Sequence, residues 1–436
     1  MLFASFEESR VSMRLIYSVL VTALVPLVMA RMLWRSRRAP AYRERLLERL
    51  GYFKTPAEGD TSIWVHAVSL GETLAARPLI EKLLDDFPQY SMVVTTTTPT
   101  GSEQVEKLFG DRVFHVYAPW DTPGAVKRFL RKTRPALLIL METELWPNML
   151  SYSSRAGCRV MLANARLSAR SAAGYARFAR LTRSILASID NIVAQSTADA
   201  DRFLQLGMDP GKINVTGSIK FDITVSDELR ATASRLKAEG VGDRRVLIVA
   251  STHVGEDQLA LTLFAQLKKA DPSLLMLLAP RHPERFNEVA TLCAQSGFHL
   301  QRKSVEPVPS ETADIWLIDT LGELLLLFGI ADLAVIGGSF VNRGGHNPLE
   351  ATVWGVPVLV GPHMFNFADV AGKLQNVGAL ESCEDLDQLL ASASSLLADE
   401  QELARRKVAA LEAMAKTHGA LGALIGEVER LLGPGG

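Results

Sequence analysis

Acidic side chains follow two apolar runs of the sequence, close to the points where those runs end. Glu72 comes after Ser62–Val68, and Glu142 and Glu144 come after Ala136–Leu140. Short apolar runs are typical of buried parallel strands, and α/β sheets bind ligands beyond the carboxyl ends of their strands. A carboxylate at that edge can remove a proton from a hydroxyl group as a general base. These glutamates are therefore candidate catalytic residues.

Structural roles compete with that interpretation. Ser69 and Glu72 have the Ser-x-x-Glu spacing of a capping box, and the spacing alone favours capping. Against this, Pro78 would interrupt a helix that runs on from Leu70. The carboxylates after the second run could instead favour the N-terminus of a helix electrostatically. Both kinds of role stay open.

Two basic residues could face a phosphate. Lys220 has apolar neighbours on both sides in the segment Gly217–Asp222, so it would be partly desolvated, although a solvated linker lysine is the alternative. Arg281 follows another apolar run, and Pro280 and Pro283 would fix the turn that holds it. A guanidinium group binds phosphate through two parallel N–H groups.

A glycine-rich segment combines several signals of a nucleotide site. Two glycine pairs, Gly337-Gly338 and Gly344-Gly345, follow an apolar run. Asn347 as a cap and Pro348 in the first helical position then predict a helix start, whose free N–H groups can bind a phosphate. Glu350 could complete the cap or bind a ribose hydroxyl group.

Composition excludes several classes of function. The net charge of −1 over 436 residues argues against a nucleic-acid partner. The three cysteines (Cys158, Cys293 and Cys383) are widely spaced, which is typical of a reducing compartment without a disulfide framework. No cluster has metal-ligand spacing, so we expect neither a metal ion nor a cofactor.

The elements that position these residues alternate between short apolar runs and amphipathic stretches, which predicts α/β units with mostly parallel strands. The predicted strands form two sets: Ser62–Val68, Met92–Thr97, Val113–Tyr117, Ala136–Leu140, Arg159–Ala163 and Asn191–Ala194, then Val246–Ala250, Leu274–Ala279, Ile315–Ile318, Leu333–Ile336 and Pro357–Val360. We predict an anchor with a basic segment over residues 1–50, one domain over 51–218, and a second domain with a terminal helix over 219–436.

The N-terminal stretch Leu15–Ala30 carries no charge. Its helix would be roughly 24 Å long, slightly short of a bilayer core unless Arg31 reaches the interface and extends it. A cleaved signal peptide would need a cleavage site of small residues after the apolar stretch, and none follows here. A buried core helix is the other alternative. A belt of basic residues follows the stretch and favours a membrane anchor. Only two glutamates within the belt oppose its positive charge. Its members are Arg31, Arg35, Arg37, Arg38, Arg43, Arg45, Arg49 and Lys54. The positive-inside bias then places the rest of the chain in the cytoplasm, and the belt would contact anionic headgroups.

Taken in order, these segments resemble the 3-deoxy-D-manno-octulosonic acid (Kdo) transferases. The matching stretches are HAVSLGE, METELWPN, LANARLS, GSIKFD, PRHPER, GGSF and GGHNPLEA. The resemblance implies the glycosyltransferase B fold, in which two Rossmann-like domains face a cleft, with an N-terminal membrane anchor. It also implies an inverting transfer from CMP-Kdo to a lipid A precursor (lipid IVA), at the cytoplasmic face of the inner membrane.

The resemblance assigns a role to each candidate residue. Glu72 would be the general base, with Glu142 and Lys220 stabilising the transition state. The nucleotide would bind Pro280, Arg281, the turn of Leu321, Gly322 and Glu323, and the segment of Asn347, Pro348, Leu349 and Glu350. Three alternatives stay open: a related transferase with another lipid-linked acceptor, a sugar-nucleotide epimerase, and a membrane-tethered nucleotide-binding regulator.

Overall fold

The computed structural model describes residues 2–37, 40–55, 61–415 and 419–433. The described chain divides into two compact units. The first unit contains the residues up to Asp222 together with those from Gly419 onwards, and the second begins at Ile223.

Each unit is built on a parallel sheet of seven strands. The first sheet has the order β3-β2-β1-β4-β5-β6-β7, and the second has the order β10-β11-β9-β8-β12-β13-β14. The strands are β1 (Ser62–His66), β2 (Ser91–Thr96), β3 (Phe114–Tyr117), β4 (Pro135–Met141), β5 (Arg159–Ala165), β6 (Asn191–Ala194), β7 (Ile213–Val215), β8 (Val246–Thr252), β9 (Leu275–Pro280), β10 (Leu300–Arg302), β11 (Ile315–Leu317), β12 (Leu333–Ile336), β13 (Val358–Val360) and β14 (Leu380–Ser382).

Helices connect the strands and cover the sheets. In chain order they are α1 (Leu2–Arg35), α2 (Leu70–Asp86), α3 (Pro99–Phe109), α4 (Pro123–Thr133), α5 (Pro147–Arg155), α6 (Ala169–Arg177), α7 (Ala179–Leu186), α8 (Thr197–Gln205), α9 (Asp227–Leu236), α10 (Glu256–Ala270), α11 (Phe286–Gln295), α12 (Leu324–Phe328), α13 (Leu349–Thr352), α14 (Ala368–Asn376), α15 (Leu386–Ala398), α16 (Glu400–Ala415) and α17 (Ala420–Leu432).

Burial on both faces explains why the strands are visible in the sequence. In β1, Ile63 and Val65 belong to the apolar cluster on one side of the sheet, whereas Trp64 belongs to the cluster on the other. A strand covered on both faces has a continuous apolar sequence rather than an alternating one. All eleven predicted strands are confirmed, with ends that shift by at most two residues. The three strands that were missed, β7, β10 and β14, are three-residue strands at sheet edges.

The expectation that Pro78 would interrupt the first helix is wrong, because α2 runs through it to Asp86. Buried residues flank the proline on both sides, among them Ala76 and Leu79. Packing of this face against the sheet outweighs the cost of a proline in a helix interior, about 3 kcal/mol.

The unit boundary differs from the predicted one in two respects. The chain passes to the second unit after Asp222 rather than after Ser218, and α17 returns to the first unit instead of closing the second. Leu424 and Val428 of α17 lie in the apolar cluster that β1 and α2 share. The Asp222 carboxylate accepts the backbone N–H of Leu421 at 2.6 Å, which fixes the start of that helix.

The N-terminal helix contains a segment, Met13–Arg35, long and apolar enough to cross a membrane, with a mean hydropathy of 1.9. Two members of the predicted basic belt do not belong to a membrane surface. Arg49 is only 4% exposed, lies over the Tyr117 ring and donates to the Thr97 carbonyl. Arg45 pairs with Glu48 and Glu106. Both hold the segment after α1 against the sheet, and Arg38 lies outside the described residues.

Candidate active site

Glu72 lies in the first turn of α2, beyond the end of β1. Its Oε2 accepts the backbone N–H of Val68 at 2.7 Å, and the Ser69 hydroxyl donates to Oε1 at 3.2 Å. Ser69 in turn caps α2 by accepting the backbone N–H of Glu72. The capping interpretation is therefore confirmed, and it fixes the position of the carboxylate.

The same carboxylate has the pKa of a general base. Burial raises the pKa of Glu72 to about 7, against the hydrogen bond from Val68, and the charges of Glu144 and Glu142 raise it further. A base is most effective when its pKa lies near the working pH. Capping and proton transfer are thus compatible in one side chain.

Glu142 and Lys220 form an ion pair at the end of β4. Lys220 Nζ donates to Glu142 Oε1 at 3.0 Å, and both side chains are more than two-thirds buried. Glu142 has a positive φ of 57°, a left-handed conformation that costs energy for a residue with a side chain. Backbone strain of this kind often occurs at functional sites, where the surrounding structure maintains it.

Asn164 holds the lysine segment in place, and we did not assign it a role from the sequence. It lies near the end of β5 with a φ of 52° and is 1% exposed. Its Oδ1 accepts the backbone N–H of Ile219 at 3.2 Å, within the short 3-10 turn Ile219–Phe221 that carries Lys220. The predicted partial desolvation of Lys220 is confirmed, since both neighbours are buried. The only signal for Asn164 was its place in the LANARLS stretch.

Glu144 adds a third carboxylate to the group. Burial raises its pKa, opposed by a hydrogen bond from Trp146 Nε1 at 2.6 Å, and the charge of Glu142 raises it further. Glu72 and Glu142 follow β1 and β4, the neighbouring strands at which the chain reverses its direction across the sheet. Such a switch point is the usual ligand site of a doubly wound sheet.

In the second unit, Arg281 directly follows β9, which ends at the buried Pro280. Its backbone N–H donates to the Thr252 carbonyl at 3.0 Å, while its side chain is exposed. Arg285, the second arginine of the same segment, is buried and pairs with the buried Asp257. Arg281 is thus available to a ligand, whereas Arg285 is a structural residue.

In the first glycine turn, two backbone N–H groups are bound by a buried carboxylate and are not available to a phosphate. Glu256, 3% exposed, accepts the N–H groups of Gly338 at 2.7 Å and Phe340 at 3.0 Å. The same carboxylate accepts the N–H of His253 at 2.9 Å. Gly337 is required for a different reason, because a Cβ there would lie 2.4 Å from the Ser251 carbonyl oxygen.

The predicted helix start after the second glycine pair is only partly confirmed. Asn347 Oδ1 accepts the backbone N–H of Leu349 at 3.1 Å and its amide donates to Glu350 Oε1 at 3.3 Å. However, α13 begins at Leu349 rather than at Pro348 and has only four residues. One turn has little macrodipole, so any ligand here would be held mainly by side chains.

Three histidines and Arg281 gather beside this turn. His253 Nε2 and His346 Nε2 are 2.9 Å apart in parallel rings, and the His282 ring is 5.3 Å from that of His253. Burial lowers the pKa of His346 to about 3, and the charge of Arg281 lowers it further. Burial also lowers the pKa of His253, so His253 and His346 are uncharged at neutral pH, and Arg281 carries positive charge beside them.

The turn of Leu321, Gly322 and Glu323 follows β11, beside β9 in the sheet. Leu321 is exposed and Gly322 has a positive φ of 84°. Glu323 accepts from Lys303 Nζ at 2.8 Å. Burial raises its pKa, but the hydrogen bonds from Lys303 and Thr320 outweigh this, so the pKa lies below its usual value. The carboxylate is ionised and can accept hydrogen bonds from hydroxyl groups.

Sequence comparison decides which family has this arrangement. Residues 44–223 match the 3-deoxy-D-manno-octulosonic-acid transferase (kdotransferase) family. The 3-deoxy-D-manno-octulosonic acid transferase of Haemophilus influenzae is 40% identical over 417 residues, which cover 94% of this chain and 97% of that protein. The chain belongs to the Kdo transferase family. It is therefore a glycosyltransferase.

Two solved structures are similar in fold to this Kdo transferase or to part of it. The C-terminal CMP-Kdo binding domain of WaaA from Acinetobacter baumannii is 29% identical, with a TM-score of 0.41 over 43% of this chain and 98% of that chain. The UDP-GlcNAc 2-epimerase from Neisseria meningitidis, solved with UDP-GlcNAc, is 13% identical, with a TM-score of 0.51 over 84% of this chain and 99% of that chain. The second likeness is one of fold alone, the two-domain glycosyltransferase B architecture.

Proposed function

We propose that this Kdo transferase moves Kdo from CMP-Kdo to a lipid A precursor with inversion, using Glu72 as the general base. The observation that carries the proposal is the position of Glu72. It lies at the switch point of the first sheet, has a pKa of about 7, and interacts electrostatically with Glu142, which holds Lys220. A carboxylate of that pKa can accept the proton of an acceptor hydroxyl group at neutral pH.

In the proposed transfer, the bonds, the proton and the charge of the leaving group are all accounted for without a metal ion. The acceptor oxygen forms a bond to the anomeric carbon of Kdo as its proton passes to Glu72, while the bond from that carbon to the CMP phosphate oxygen breaks. The leaving phosphate gains negative charge, which a nearby cation stabilises. Arg281 is exposed for this role in the second unit. Lys220, held by Glu142, would also help to offset the negative charge of the leaving group.

Donor recognition is proposed for the second unit. The exposed Arg281 would bind the phosphate, and the ionised Glu323 and the Asn347–Glu350 segment would bind hydroxyl groups of the nucleotide. The Acinetobacter domain is named as a CMP-Kdo binding domain, and this name supports CMP-Kdo as the donor.

Membrane attachment is proposed for the first unit. The apolar segment Met13–Arg35 would hold the enzyme at the inner membrane, with both α/β units on the cytoplasmic side. The exposed arginines at its end, such as Arg31 and Arg37, support this orientation through the positive-inside bias. A lipid-linked acceptor would then lie in the same membrane as the enzyme.

The direct test compares Glu72→Gln with wild type in a reaction of CMP-Kdo with a lipid A precursor, followed by mass spectrometry. Glutamine keeps an oxygen for the Val68 N–H, so the fold and CMP-Kdo binding should persist while turnover falls by orders of magnitude. Glu81→Gln is the matched control, since Glu81 is partly exposed on the same helix and pairs only with Arg77 among the described residues. Near wild-type turnover in Glu72→Gln would exclude the base assignment. Hydrolysis of CMP-Kdo without a lipid product would exclude the acceptor.

A further inference from the structure

One stripe of α1 is less exposed than the rest of the helix along the apolar segment. The buried and half-buried side chains recur every three or four residues, whereas those between them are exposed. They are Met13, Arg14, Tyr17, Ser18, Val21, Val25, Met29 and Met32. This is the spacing of one helix face. The helix contacts α5 and α7 of the first unit, so it lies against the protein over part of this face.

Polar bonds fasten the beginning of this segment to the first unit. Ser18 is 7% exposed and its hydroxyl donates to Asn148 Oδ1 at 2.9 Å. The Tyr17 hydroxyl donates to the carboxylate of the buried Asp121, which also accepts the N–H groups of Asn148 and Met149. Breaking these contacts would leave a buried carboxyl group with one partner fewer.

The end of the segment also stays with the first unit. The helix contacts the short 3-10 turn Pro40–Arg43, and Ser36 after it is 8% exposed. The chain then continues into residues that Arg45 and Arg49 fix to the sheet. The start of an apolar helix roughly 34 Å long (23 residues) and the chain that follows it are therefore held on the same body.

The opposite face of α1 is exposed and apolar. Its side chains are Leu15, Ile16, Val19, Leu20, Leu24, Leu27, Val28, Leu33 and Trp34, each at least 41% exposed. A continuous apolar surface of this length, next to basic residues, is typical of helices that lie in the plane of a membrane interface.

A basic surface adjoins this helix. Helix α7 packs against α1 and follows α6 directly. Arg170, Arg177, Arg180 and Arg183 are exposed on the two helices, and none pairs with a carboxylate among the described residues. The sequence has no acidic residue between Arg166 and Asp190. Phe178, at the break between the helices, is 61% exposed.

We infer that α1 lies in the plane of the membrane, embedded in one leaflet by its exposed face, and that the α6–α7 arginines rest on anionic lipid headgroups beside it. The helix does not cross the bilayer, so the N-terminus stays on the same side as the catalytic units. This inference rests on the membrane attachment proposed above.

The topology can be measured in sealed, inverted inner-membrane vesicles, whose cytoplasmic face points outwards. The full-length enzyme would carry a hydrophilic tag and a protease site before Met1, and Ser394→Cys in α15 as a reporter of the catalytic side. Ser394 is exposed, whereas the native cysteines are buried. We expect added protease to remove the tag, and a membrane-impermeant maleimide to label Cys at position 394, both without detergent.

The other outcomes separate the two proposals. A tag that stays protected until detergent is added, while position 394 is labelled, means that α1 spans the bilayer and overturns the inference alone. An enzyme that does not sediment with the vesicles contradicts the attachment itself. Transfer activity on a solubilised acceptor is independent of both results.

The arginine surface has its own test. Arg170→Gln, Arg177→Gln and Arg180→Gln would be combined in the full-length enzyme, and lipid titrations would give partition coefficients on phosphatidylcholine vesicles with and without phosphatidylglycerol. We expect a roughly hundred-fold loss of partition into the anionic vesicles at low salt, and little change on the neutral ones.

The matched control removes three exposed cations of the second unit: Arg235→Gln, Lys269→Gln and Lys407→Gln. Its net charge equals that of the arginine variant. Equal partition of the two variants into anionic vesicles would show that only total charge matters and would overturn the assignment of this surface.

Discussion

The same environment gives Glu72 a structural role and the raised pKa that the proposed general base needs. The cap to Val68 and Ser69 orients the carboxylate, and burial with two neighbouring carboxylates raises its pKa to about 7. In the unfolded chain the pKa would be near 4.5. Ionising this group therefore costs stability as the pH rises from about 4.5 to about 7, because the folded state binds the proton more tightly there.

The pH dependence of transfer tests this electrostatic arrangement. Because the base must be ionised, kcat/KM should rise with pH and level off above about pH 7. Glu144→Gln removes a like charge that raises the pKa of Glu72. The rise of kcat/KM should therefore occur at lower pH in this variant, with activity retained. The control is Glu103→Gln, an exposed residue on α3. If kcat/KM rises at the same pH in Glu144→Gln as in wild type, a group other than Glu72 controls the pH dependence.

The two arginines of the PRHPER segment should behave differently. Arg281→Ala should raise the donor KM about ten- to a hundred-fold without a change in Tm, because it removes one charge-assisted contact, about 1.5–3 kcal/mol. Arg285→Ala should lower Tm instead, since it leaves the buried Asp257 without its ion pair. Steady-state kinetics and thermal unfolding of both variants decide this. An unchanged donor KM in Arg281→Ala would place the phosphate elsewhere.

At the scale of elements, the first glycine turn is fastened by α10. Glu256 at the start of that helix accepts three backbone N–H groups, two of them from the turn after β12. The turn and the end of β8 are thereby locked together at the switch point of the second sheet. Rigid support of this kind keeps neighbouring ligand-binding side chains in place.

Glu256→Gln should destabilise the second unit. An amide has one acceptor oxygen, so at least one of the three N–H groups would face an N–H2 group, at a cost of about 1–3 kcal/mol. Chemical denaturation should show this loss relative to Glu284→Gln, an exposed residue of similar chemistry. A free energy of unfolding equal to that of wild type would contradict the role of Glu256 as the anchor of the turn.

At the scale of the whole molecule, two different forces would hold the enzyme at a membrane. The exposed apolar face of α1 contributes a hydrophobic term that salt hardly affects, whereas exposed arginines contribute an electrostatic term that salt screens. The two contributions are therefore separable by changing the ionic strength.

Deleting residues 1–34 should convert salt-resistant attachment into salt-sensitive attachment. The shortened enzyme should bind anionic vesicles at low ionic strength through residues such as Arg37 and Arg43, and leave them at high salt. It should also unfold at a lower temperature, because Asp121 and Asn148 lose their partners on α1. Vesicle sedimentation across a salt series measures the first effect. A shortened enzyme that stays in solution at every salt concentration would show that these arginines only face water.

The sequence by itself determined the two α/β units, eleven of the fourteen strands and the segments that carry Glu72, Glu142, Lys220 and Arg281. Strands buried on both faces must be apolar throughout, so they are visible without a structure. The short edge strands were not, since β7 is largely exposed and so lacks that pattern.

Only the tertiary structure decided the contacts between distant segments. Sequence spacing could not show that Glu256 occupies the amides of the glycine turn, that Arg49 is buried over Tyr117, or that α17 returns to the first unit. In each case the residue type was compatible with both a ligand and a structural partner. The choice depended on which buried polar group or apolar surface lay nearby, and packing between remote parts of the chain determines that.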